Sequence, residues 1–108
     1  MPITAEEQDQ IGAIRNTLSA RLSTIYSKLK EEAQYRDPWN GPLHAAEVGA
    51  LNLEYQWLDV LLRSVLFNYE TALSNWYLND AAYRSLHLPQ PPKPALPSSL
   101  AAFLPKSE

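Results

Sequence analysis

The sequence predicts an all-α fold: an antiparallel hairpin of two long helices that assembles into a dimeric four-helix bundle and carries a Pro-rich C-terminal arm. Three observations lead there. Two long segments carry apolar residues at helical spacing. A short turn-rich link separates them. Six of the nine prolines fall after Leu88.

The first helix has a defined start. Thr4 followed by Glu7 is a capping box: the hydroxyl takes one orphan amide and the carboxylate reaches back to the Thr4 amide. Glu6, Glu7 and Asp9 add negative charge at the positive end of the helix dipole. Ile11, Ile14, Leu18, Leu22, Ile25 and Leu29 then form one stripe with an eleven-residue repeat, a nearly straight seam. Arg15, Arg21, Lys28, Lys30, Glu31 and Glu32 occupy the remaining faces and read as solvated. Pro38 ends the segment, because the residue before a proline leaves the helical region.

Asp37-Pro38-Trp39-Asn40-Gly41-Pro42 is a turn by composition. Pro42 suits the first position of a following helix. A link this short makes the two helices antiparallel neighbours.

The second helix is expected from about Leu43 to about Arg84. Its main stripe is Val48, Leu51, Tyr55, Leu58, Leu62, Val65, Tyr69, Ala72 and Trp76, a heptad pattern. Leu53, Val60 and Phe67 recur every seven residues on the other side, with Leu61, Leu66 and Leu73 on the flanks. A helix apolar nearly all round is buried nearly all round. One partner helix cannot cover two opposite seams, so another chain or the folded-back arm covers the second. Some forty helical residues span about 60 Å, so the helix breaks, at Gly49 or near Asn79-Asp80, or the molecule is elongated. A two-helix hairpin has little core of its own, and pairing two hairpins supplies one.

Residues 1–88 therefore form the hairpin domain and 89–108 the arm. Pro91, Pro94 and Pro97 recur every third residue, one face of a polyproline II helix. Ser98 or Ser99 caps a turn or two carrying Leu100, Phe103 and Leu104. The arm is a linker, a strap on its own bundle or a recognition segment for a polyproline groove. Its apolar residues favour the strap.

Composition excludes several functions. With no cysteine, disulfide scaffolds, cysteine-ligated zinc and cysteine nucleophiles are out. A net charge of −3 lacks the basic excess that nucleic-acid binding demands. Trp57 to Phe67, the most apolar stretch, is interrupted by Asp59 and Arg63 and is too short to span a membrane. The N-terminal residues have neither a basic region nor an apolar core of a secretion signal, so a cytoplasmic protein is expected.

Candidate chemistry is sparse. His44 and Glu47, three apart, could share a metal on one helix face, but a polar first turn explains both. Glu31-Glu32 is an acidic pair without a matching cluster on the second helix. Asp59 and Arg63 form an i,i+4 ion pair or set register across a bundle interface. Tyr55, Tyr69, Trp76 and Tyr83 share one register and could line a pocket for a flat apolar ligand, or pack as core. Trp39-Asn40-Gly41 between two helices resembles the helical-hairpin substrates of specialised (type VII) bacterial secretion, which implies an exported helical hairpin. The export signal of that family is absent, since Tyr83 is followed four residues on by His87, and the proline arm departs from it as well.

The reading is a non-enzymatic protein without cofactor or metal that forms a homodimer and binds another protein. Leu53, Val60, Leu61, Leu66, Phe67, Tyr69 and Trp76 are the expected interface, and Pro91, Pro94, Pro97, Leu100 and Phe103 the partner-binding arm. The alternative is a helical bundle holding a small apolar ligand or a metal.

Overall fold

A computed structural model describes residues 3–33 and 45–104. Helix α1 runs Ala5–Glu32, and α2 Ala45–Val60 continues without a break through a π-helical segment, Leu61–Leu66, into α3 Phe67–Ser85. A one-turn helix α4, Ser98–Ala101, lies in the arm. All regular structure among the described residues is helical. Trp39, the linking turn and His44 lie outside the described residues.

The capping box forms as its residues require. The Glu7 amide donates to Thr4 Oγ1 (3.1 Å), and the Thr4 amide donates to Glu7 Oε1 (3.2 Å). Ile11, Ile14, Leu18, Leu22 and Ile25 are buried along one stripe of α1, and Leu29 packs partly buried against it. Three cross-links order the two long helices: Arg21 to Glu54, Arg15 to Glu70 and Glu7 to Tyr77. Falling numbers on one helix meet rising numbers on the other, so they run antiparallel. The molecule is elongated, 67 × 28 × 18 Å. The second helix passes through both Gly49 and Asn79-Asp80.

Its irregularity lies instead in the π segment, and this corrects the expected heptad seam. An i→i+5 turn holds one more residue than an α turn, so residues beyond it are rotated by roughly 100° relative to an unbroken helix. The fully buried positions are consequently Leu61, Leu66 and Leu73, which the heptad places on the flanks. Ala72, on the expected seam, is exposed, while Leu58 and Tyr69 stay buried.

The arm lies back along α3. Leu100 of α4 is completely buried in one cluster with Leu61, Leu66 and Leu73, and Leu96, Phe103 and Leu104 pack around it. Burying a leucine contributes about 1.5–3 kcal/mol. The chain turns into the arm at His87, which has φ 57°. This left-handed conformation costs a residue with a Cβ roughly 1–2 kcal/mol. The turn closes α3 through Leu88 N–H to Tyr83 O (3.0 Å) and His87 N–H to Arg84 O (3.2 Å).

Candidate interaction surfaces

The helix pair presents a side covered by the arm, an open side and an outward face of the second helix.

A polar clasp holds the arm at the start of α1. Glu7 Oε1 accepts from the Tyr77 hydroxyl at 2.7 Å, and Glu7 Oε2 faces Lys93 Nζ at 2.8 Å. The Lys93 ammonium also sits 5.1 Å from the Tyr77 ring centre and 5.9 Å from that of Trp76, within cation–π reach. Trp76 Nε1–H donates to the Pro91 carbonyl at 2.9 Å, and Gln90 donates to Asp80. Desolvation would raise the Glu7 carboxyl; Lys93, Tyr77 and Thr4 outweigh it and hold the group at about 2. Lys93 is shifted upward chiefly by its bond to Glu7. Tyr69, buried beside the clasp, is raised by burial and then by the Glu7 charge.

The open side is a line of shallow grooves. One of about 500 Å³ lies between Ile3, Ile11 and Arg15 on one wall and Glu70, Ser74 and Leu78 on the other. A second, about 430 Å³, adjoins it beside Ser19, Leu62, Arg63 and Phe67. The Arg15–Glu70 ion pair (2.8 Å) bridges their junction. A third, about 440 Å³, lies further along between Tyr26, Leu29, Asn52 and Tyr55. Both Arg15 and Glu70 are over a third exposed, which limits their pairing to about 1 kcal/mol or less. Arg21 and Glu54 form a two-pronged pair (2.6 and 2.9 Å), and Arg21 lowers the Glu54 carboxyl.

The outward face carries exposed apolar residues. Leu53 (69%), Trp57 (55%) and Val60 (47%) project from it, while Phe67 (59%) and Leu78 (68%), also exposed, border the open grooves. Between residues 52 and 79 Arg63 is the single charged residue among the exposed positions, and its Nε donates to Asp59 Oδ1 at 2.7 Å. The rest are apolar, alanine, or uncharged polar residues such as Gln56, Ser64, Asn68 and Thr71.

The sequence-selected residues therefore separate. Leu53 and Val60 stand on the outward face. Phe67, seven residues on, is turned by the π segment toward the open groove and Arg15. Leu61, Leu66 and Tyr69 lie in this chain's own core, beneath the arm or beside it, where a second chain does not reach them in this conformation. Trp76 is half-buried against Pro91. In the arm, Pro91 is exposed, Pro94, Pro97 and Phe103 are half-buried, and Leu100 is buried. Glu47 is exposed on α2, and no three His, Cys, Asp or Glu side chains converge among the described residues.

Two features escaped sequence reasoning. Glu7 reads as a cap and nothing more until Tyr77 and Lys93 arrive from 70 and 86 positions away. The available signal was Lys93 itself, the lone Lys, Arg, Asp or Glu between Arg84 and Lys106. The π segment has no proline or glycine to announce it. Among the described residues no helix is long and apolar enough to cross a membrane. No family model, curated protein or solved structure matches this chain.

Proposed function

We propose that this chain is a non-enzymatic helical protein that self-associates, two hairpins contributing their four long helices to one dimer, and that acts by binding another protein. The exposed surface of the second helix carries this reading. A run of 28 positions with one exposed charge, itself paired, and with two large exposed aromatic rings has the composition of an interface core, depleted in charge and enriched in aromatics. Each aromatic offers about 150–250 Å² when bared, so the five large exposed side chains of the second helix, on the outward face and along the open grooves, together expose roughly 500 Å² of apolar surface. Covering them on both copies approaches the roughly 1,000 Å² that a specific interface requires. The face also spares two copies of a chain with net charge −3 a like-charge clash at the contact.

The apolar-ligand alternative draws less support. The seam it needs is occupied: Tyr69 is buried, and Trp76 is bonded to the arm.

Light scattering across a concentration series tests the proposal. The expected species has twice the chain mass, and Val60→Asp and Trp57→Asp shift it toward monomer without lowering helix content. A wild-type chain that stays monomeric at millimolar concentration overturns the reading.

A further inference from the structure

The arm's seat, read with the hinge that feeds it, points to how a second copy is held. The contacts that fix the arm join it to the helix pair: Lys93 to Glu7, the Pro91 carbonyl to Trp76, and Leu100 to the leucines of the π segment. A seat built this way takes the same segment from another copy with each contact reproduced.

The hinge favours that outcome. His87 is the one residue bearing a side chain that adopts positive φ among the described residues, at 57°. Straightening it removes a conformation that suits glycine and disfavours a residue with a Cβ. Pro89, Pro91 and Pro92 follow at once and stiffen the exit. The straightened arm then points away from its own helix pair. Short hinges under strain invite exchange of this kind. Leu86 (66% exposed) and Leu88 (52%) flank His87, so the hinge carries bare apolar surface on either side.

We infer that two copies of this chain associate by reciprocal exchange of residues 89–104, each arm seated on the other copy's helix pair. The inference rests on the self-association proposed above and adds to it a reciprocal exchange of arms within a closed two-fold dimer.

Charge complementation tests it. In Glu7→Lys alone, or Lys93→Glu alone, positions 7 and 93 carry like charges in every pairing, own or exchanged. In a one-to-one mixture, exchange between unlike copies restores opposite charges at both seats. The reference is the double variant Glu7→Lys/Lys93→Glu, which restores the pair within one chain and loses the Thr4–Glu7 cap in every copy, against one copy in two for the mixed dimer. Native mass spectrometry with one variant isotopically labelled is expected to show mixed dimers several-fold above their statistical share. Thermal unfolding of the mixture is expected to approach that of the double variant. Independently, His87→Gly in the wild-type background is expected to lower the dimer constant about thirty-fold, because glycine relieves the strain in the closed arm of each of the two copies. A wild-type dimer whose mixed variants form no more than the statistical share of mixed dimers overturns arm exchange and leaves self-association standing. A wild-type monomer at millimolar concentration overturns both. Should the single variants fail to fold, an unchanged dimer constant in His87→Gly overturns the exchange.

Discussion

Leu100→Ala isolates what the arm contributes to the fold. Leu100 is wholly buried, in one cluster with Leu61, Leu66 and Leu73. Truncation withdraws carbon atoms worth about 2 kcal/mol at ~0.8 kcal/mol per methylene. The cavity left behind brings losses at such sites to about 2–5 kcal/mol. Two structural features set this one near the lower end. Leu100 sits on a helix of four residues, which yields more readily than a long one and lets the site collapse. The loss is also capped by the arm's entire docking free energy, since a weakened arm detaches before the helix pair unfolds. We expect a loss of about 2.5 kcal/mol. Urea unfolding followed by far-UV circular dichroism reads it. At a slope of about 1.3 kcal/mol/M the midpoint falls by about 2 M. A detached arm also lowers the slope, because less surface then remains to be exposed on unfolding. Leu100→Met, which conserves volume, is expected to lose less than about 1.5 kcal/mol, and Ala102→Ser at an exposed neighbour less than about 0.5 kcal/mol. A loss below about 0.5 kcal/mol in Leu100→Ala, with the slope unchanged, would show that Leu100 is not part of the core.

The clasp makes stability depend on acid. Glu7 is held at about 2 in the fold against an ordinary value of 4.5, so its contribution is complete above about pH 4.5 and disappears as pH falls toward 2. After allowance for solvent screening near the surface this amounts to about 1 kcal/mol. Urea midpoints measured from pH 6 down to 2 should fall less steeply in Glu7→Gln than in wild type, and parallel slopes would exclude the clasp as the source. Thr4→Ala removes the cap and one of the groups holding Glu7, for a loss of about 1 kcal/mol by thermal unfolding. A double-mutant cycle on Arg21 and Glu54 should return a coupling of about 0.5–1 kcal/mol that shrinks in 1 M salt; coupling insensitive to salt would contradict an exposed ion pair. Val60→Asp is expected to leave monomer stability within about 0.5 kcal/mol, since Val60 is 47% exposed, while weakening association.

Physical locality decides how much of this protein could be read from its residues alone. The capping box needs four consecutive residues, and Thr4 to Glu7 supply them. The core stripe of α1 needs only the helical period, and Ile11 through Leu29 carry it. An i,i+4 ion pair such as Asp59–Arg63 follows from spacing within one helix. Each of these interactions joins residues a turn or two apart, so sequence order already sets the geometry.

The second helix marks the point where that stops. Its apolar residues surround the helix, and periodicity cannot say which of two seams meets α1. The tertiary structure decides it through a π turn over Leu61–Leu66, which rotates the rest of the helix and carries Phe67 away from the line of Leu53 and Val60. The same turn brings Leu61 and Leu66 together under Leu100, more than thirty positions on. Glu7, Tyr77 and Lys93 likewise meet because the arm folds back along α3. Sequence by itself determined two long helices, their antiparallel order and a proline-rich arm, since short-range hydrogen bonding and apolar period suffice for these. The choice of seam, the site of the arm and the surface left open were decided by packing among distant segments, whose free energies depend on which faces come into contact and not on the order of residues along any one of them.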